Sequence, residues 1–76
     1  MEFGKAVRTL RALRGITQHE LAERAETSRV VIWQIENGFI PPDDLMTQIR
    51  RALSWTERED AALEMLAGER AQVKEA

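Results

Sequence analysis

Cysteine is absent from this chain, so neither a disulfide framework nor a thiolate metal site is open to it. Histidine occurs once, as His19; with no second histidine to share a metal or relay a proton, it reads as a solvated polar residue. No apolar run approaches the length of a membrane span. The opening stretch, MEFGKAVRTLRALRG, is interrupted by charge every few residues, so no leader is expected and a cytoplasmic location is the default. Alternating β-branched runs long enough for a strand are missing too, as are internal repeats and low-complexity linkers. So are nucleophile–base pairs, metal-ligand spacing and a glycine-rich phosphate loop, which makes an enzyme the weakest class and leaves no catalytic residue, metal or cofactor to expect. Excess positive charge is the last absence: the formal net charge is −2 and the pI about 5.4. The balance is nonetheless uneven. Residues 1–38 carry six Lys/Arg against five acids, and residues 39–76 carry five against eight.

What the 76 residues do contain is apolar side chains at helical spacing, in a number that suits one small domain. A first helix is expected over roughly Gly4 to Arg14, with Phe3, Ala6, Val7, Leu10 and Leu13 on one face. Gly15 stands where a glycine ends a helix. Thr17 and Glu20 then have the spacing of a capping box, flanked by Ile16 and Leu21 as a hydrophobic staple. The helix they start runs to about Ala25 and buries Leu21, Ala22 and Ala25. Glu26 to Ser28 separate it from a third helix, Arg29 to Asn37, capped by Ser28 and ended by Gly38. Val31, Ile32 and Ile35 share the inner face of that helix, while Arg29, Val30, Trp33, Gln34 and Asn37 point outward.

Phe39 to Pro42 form a loop, since paired prolines cannot continue a helix. Asp43 and Asp44 suit the dipole of a fourth helix and are read that way rather than as an acid–base pair. That helix buries Leu45 or Met46, Ile49, Ala52 and Leu53. A fifth starts after Thr56 with the same Thr-x-x-Glu pattern (Thr56, Glu59), carries Ala62, Leu63 and Leu66, and is expected to end at Gly68. Trp55 is expected as core between helices four and five, with contact to a second copy as the other choice. The reading is all-α: one domain of five helices over residues 1–68, and a frayed tail over 69–76.

A short helix, a three-residue turn and a serine-capped helix make the helix-turn-helix arrangement, whose second helix presents its first turn to base edges in the major groove. The run LRALRGITQHELAERAETSRVVIWQIENG, Leu10 to Gly38, resembles the Cro and phage-repressor (Xre-type) DNA-binding family. The likeness is carried by Thr17-Gln18, Leu21-Ala22, Ser28, Ile32 and the Ile35-Glu36-Asn37-Gly38 ending, and it extends more loosely to about Leu66. It implies a compact repressor-like domain with helices two and three as the motif. It implies base contacts from Arg29, Val30, Trp33 and Gln34, with Val31 at the margin. It implies phosphate contacts from Gln18, which would also brace the recognition side chains, and from Asn37. It implies, finally, an ion pair of Arg11 with Glu36 that ties helix one to helix three. Arg8, on the basic stripe of the first helix, could reach a flanking phosphate. Two segments depart from the family: in the turn, Glu26 stands where glycine is usual, at a cost of ~1 kcal/mol if the backbone there is left-handed, and after Gly38, Phe39 and Ile40 occupy a loop that usually offers cations to phosphates.

Two functions fit. The first is a sequence-specific regulator of transcription, a repressor that binds double-stranded DNA as a homodimer, on the nucleoid when bound. Its operator would be pseudo-palindromic, with half-sites ~34 Å apart. Arg29 could pair with guanine, Gln34 with adenine or a phosphate, and Val30 could press on thymine methyls. Trp55, Leu63 and Leu66, beyond the motif, are the expected dimer surface. The alternative is a protein-interaction module of the same fold, antitoxin-like or binding a polymerase or regulator, that uses the apolar Val30, Trp33 and Phe39 face. Trp33 is equally placed to cover the core edge, and Phe39 and Ile40 are expected to pack over the corner between helices three and four.

Overall fold

The computed structural model describes the backbone of residues 1–75 and the side chains of residues 1–66. Five helices follow one another, with no strand among the described residues: α1 (Phe3–Arg14), α2 (Gln18–Arg24), α3 (Arg29–Glu36), α4 (Asp43–Ala52) and α5 (Glu57–Glu75). α3 packs against both α1 and α2, and α4 closes the other side of α2. The core is formed by Val7 and Leu10 from α1, Leu21 from α2, Ile32 and Ile35 from α3, Ile49 and Leu53 from α4 and its end, and Leu63 from α5. Burying each such side chain contributes about 1.5–3 kcal/mol before the entropy of ordering it is charged.

The starts and ends of the helices explain why the chain turns where it does. At α2, the Glu20 amide donates to Thr17 Oγ1 at 3.0 Å and the Thr17 amide donates to Glu20 Oε1 at 3.1 Å, a reciprocal capping box. Thr56 and Glu59 repeat the device at α5, with backbone donors at 3.1 Å in both directions. Four helices end by the same double hydrogen bond around one left-handed residue. Gly15 (φ 64°) and Gly38 (φ 111°) serve α1 and α3, and glycine takes that conformation without a Cβ penalty. Glu26 (φ 58°) and Ser54 (φ 50°) serve α2 and α4, where the strain is tolerated. At α2 the bonds run from Thr27 N–H to the Ala22 carbonyl and from Glu26 N–H to that of Glu23.

Gly4 has a different task. A Cβ there would lie 2.0 Å from the Ile35 carbonyl oxygen, so only glycine lets α1 approach the backbone of α3 this closely. At the far end of α1, Arg14 Nη2 donates to both carboxylate oxygens of Glu59, at 2.7 and 2.8 Å, and fastens α1 to the cap of α5. Arg14 thus fills the inward position of the last turn, and Leu13, expected there, is 73% exposed. Ala62 and Leu66, expected on the apolar face of α5, are exposed as well. α5 does not end at Gly68 but continues as backbone helix to Glu75. The expected frayed tail, 69–76, therefore has helical backbone as far as Glu75, and its side chains lie outside the described residues.

Candidate nucleic-acid interface

The three-residue turn between α2 and α3 sets the attitude of α3. Its left-handed residue, Glu26, reverses the chain, and Ser28 Oγ then accepts from the Val31 amide at 3.3 Å to start the next helix. With Ile32 and Ile35 fully buried and Val31 half-buried, the opposite side of α3 is fixed by the helical period. That side carries Arg29, Val30, Trp33, Gln34 and Asn37, all exposed. Arg29, Val30 and Trp33 line a notch of about 260 Å³. A second, shallower concavity, between the end of α1 and the start of α2, is lined by Thr17, Gln18 and His19 and reaches the same Arg29. The start of α2 and the first turn of α3 thus form one continuous face.

Behind that face lies a buried carboxylate. Glu36, whose side chain is wholly inaccessible, accepts from Arg11 Nε at 2.9 Å and from Arg11 Nη2 at 3.2 Å. Arg11 also donates from Nη1 to the Ile16 carbonyl at 3.0 Å. Gln18 Nε2 adds a third donor to Glu36, at 3.1 Å, so α1, α2 and α3 meet at one group. A buried charge held by three donors satisfies the condition under which burial is tolerated. The same contacts fix α3 lengthwise against the scaffold.

Several expected site residues hold partners within the domain. Gln18 braces α3 through Glu36. Asn37 donates from Nδ2 to the Trp33 carbonyl at 2.8 Å and so closes the end of its own helix. Arg8 is largely exposed and lies 3.9 Å from Glu36 Oε1, at the rim of the cluster. Trp33 is 54% exposed and does not cover the core. Phe39 and Ile40, 49% and 75% exposed, do not pack over the α3–α4 corner, because the turn around Gly38 carries the chain outward before Pro41 returns it.

The expected dimer surface is also redistributed. Leu63 is 6% exposed and belongs to the core, so it cannot meet a second copy. Trp55 is half-buried and stacked on Phe3, centroids 5.7 Å apart, with the Arg50 guanidinium 4.3 Å above its ring. Of the three, Leu66 alone stands exposed, beside Met65. Sequence reasoning missed Gly4, Ser54 and the Arg14–Glu59 pair, although the spacing of Arg14 from Val7 and Leu10 already placed it on the inner face. Among the described residues, no group of acidic or histidine side chains is arranged to hold a metal ion, and no helix is long and apolar enough to cross a membrane.

Comparison with known proteins agrees with this geometry. A family model described as a helix-turn-helix domain matches residues 2–73. No curated protein and no solved structure matches the chain significantly.

Proposed function

The chain belongs to the helix-turn-helix domain family, and from that premise we propose that it is a sequence-specific regulator of transcription, a repressor that binds double-stranded DNA as a homodimer in the cytoplasm. The observation that carries this reading is the outward face of α3, where Arg29, Val30, Trp33 and Gln34 stand exposed on a helix locked to its scaffold through Glu36. Placed in a major groove, Arg29 offers a two-pronged donor to guanine, and Gln34 suits adenine or a phosphate. Gln18, Asn37 and Arg8 lie around the same face and would meet phosphates, Asn37 and Gln18 at the expense of their present partners. One domain makes few contacts, so two copies on half-sites ~34 Å apart supply the specificity. The exposed Met65 and Leu66 of α5 are the surface through which we expect the copies to meet.

A second reading has one observation in its favour: Val30, Trp33, Phe39 and Ile40 are all about half exposed or more, an apolar content typical of protein contacts. The two are separated by titrating the protein into its own promoter-region DNA and into random DNA at two salt concentrations. Selective, salt-sensitive binding that Arg29→Ala abolishes supports the regulator. Absence of DNA binding at low salt, together with a co-purifying protein released by Trp33→Ala, sinks it. Light scattering on the eluting protein tests the dimer, and a strict monomer at micromolar concentration with DNA present removes that part.

A further inference from the structure

The notch on α3 is walled by two apolar side chains and one cation. Val30 and Trp33 are neighbours one turn apart, 58% and 54% exposed, and Arg29 completes the lining of a space of about 260 Å³. Within a major groove this combination is selective by exclusion. The hydrogen-bonding edges of the bases would lose water against Val30 and Trp33 and gain no partner, which is costly. One group on that surface is apolar, the C5 methyl of a pyrimidine. Arg29 at the edge of the notch needs acceptors, and guanine presents two in the geometry of its fork. Building on the reading of α3 as a major-groove helix, we propose that the notch reads a 5-methylpyrimidine, while Arg29 holds a guanine of the adjoining base pair. Val30 and Trp33 are then specificity-determining residues that recognise a methyl group rather than a hydrogen-bonding edge. Thymine and 5-methylcytosine carry the same group in the same place, and either can supply it.

The test starts from duplexes enriched from a random pool by the full-length protein. Each thymine of the enriched half-site is replaced in turn by deoxyuridine, which deletes the methyl and keeps every hydrogen bond, and affinity is read by fluorescence anisotropy. At one position per half-site the replacement is expected to weaken binding about three- to tenfold, the worth of one buried methyl and its contacts. With Trp33→Ala, folded by circular dichroism, the same replacement should cost less than about twofold. A cytosine–guanine pair at that position should bind weakly and its 5-methylcytosine counterpart should recover the affinity. Recovery beyond the thymine duplex would identify methylated cytosine as the preferred source. Uniform indifference to deoxyuridine, or equal sensitivity in the parent and in Trp33→Ala and Val30→Ala, overturns the inference while DNA reading stands. If the pool is not enriched at all, the DNA reading falls and the notch becomes a protein contact.

Discussion

Replacing Gly4 by alanine should unfold this domain more readily, although the same change in most helices does the opposite. Gly4 is the second residue of α1, and its missing side chain faces the backbone of α3. An added Cβ would stand 2.0 Å from the Ile35 carbonyl oxygen and 3.0 Å from its carbon, whereas ordinary contact begins near 3.4 Å. The obstacle is main chain, so no rotamer relieves it, and α1 must retreat from α3 by roughly 1.4 Å. A gap of that size forfeits about half of the dispersion energy across the α1–α3 seam. It also strains the 2.9 Å bond from Arg11 to Glu36 across the same seam. Overpacking of this kind costs about 1–3 kcal/mol, and the weakened ion pair adds to it. Against this stands a gain in helix propensity of at most about 1 kcal/mol. The net expectation is a loss of about 2–3 kcal/mol, a large part of the stability of a domain this small. Urea unfolding followed by circular dichroism should therefore show a midpoint lowered by about 2 M with little change in slope. Leu13→Ala is the control: the residue is 73% exposed, and its loss should stay within ~0.5 kcal/mol. If Gly4→Ala unfolds at the parent midpoint or above it, the close approach of the two helices is not what holds α3 in place.

Glu26→Gly should raise stability by about 0.5–1 kcal/mol, since the strain of a left-handed glutamate at φ 58° exceeds the entropy lost to glycine in the unfolded chain; a lower melting temperature would contradict this. Arg11→Ala leaves the buried Glu36 carboxylate with the Gln18 amide and the Arg8 guanidinium 3.9 Å away, and should cost about 2–4 kcal/mol, with Glu36→Gln milder because the Arg11 side chain is 20% exposed and can recover water. A double-mutant cycle that returns additivity would dissolve the claimed coupling. Glu59 titrates below its ordinary range because Arg14, and after it the Thr56 amide, hydrogen-bond the carboxylate; Glu20 does so through the Thr17 amide and then the Thr17 hydroxyl. A carboxylate depressed on folding stabilises above its unfolded pKa, ~4.3, and that stability is lost as pH falls through the folded value. Urea midpoints should therefore drop on acidification below this range, and Arg14→Met should flatten the drop; an unchanged acid limb in that variant would separate Arg14 from the effect.

Signals confined to a few neighbouring residues were legible in the sequence. Thr17 with Glu20, Ser28, Thr56 with Glu59, and the glycines after α1 and α3 each satisfy backbone groups next to them, so spacing alone located five helix starts or ends. The inner face of α3 was equally plain, because Val31, Ile32 and Ile35 leave one orientation that hides them together. Most of what escaped is set by parts of the chain far apart in sequence. Leu13 satisfies the apolar pattern of α1 but its last turn meets Glu59 of α5, so Arg14 takes the inner place. Leu63 looked like spare apolar surface until α5 folded back onto α1 and α4. Gly4 reads as a weak helix residue, and its purpose is visible only where the Ile35 carbonyl stands above it. Ser54 carries no cue at all: serine gives no special access to the left-handed region, and the hydrogen bonds around it impose the conformation.

These non-local contacts bear on how an acidic chain could discriminate DNA. Two of the arginines that a charge count would offer to phosphates are spent internally, Arg11 on Glu36 and Arg14 on Glu59. The loop after α3 offers Phe39 and Ile40 in place of cations, and of the residues proposed to meet phosphates, Gln18 and Asn37 are neutral and Arg8 alone is cationic. Each phosphate contact made by a neutral donor releases no counterion, so non-specific binding gains little from salt release. Phosphate contacts enter the binding of operator and random DNA alike, so the ratio between the two rests on the base contacts. On this reading the internal ion pairs serve recognition twice. The Arg11–Glu36 pair ties α3 to α1, and both pairs keep a guanidinium from phosphate contact, leaving selectivity to Arg29, Gln34 and the apolar notch between Val30 and Trp33.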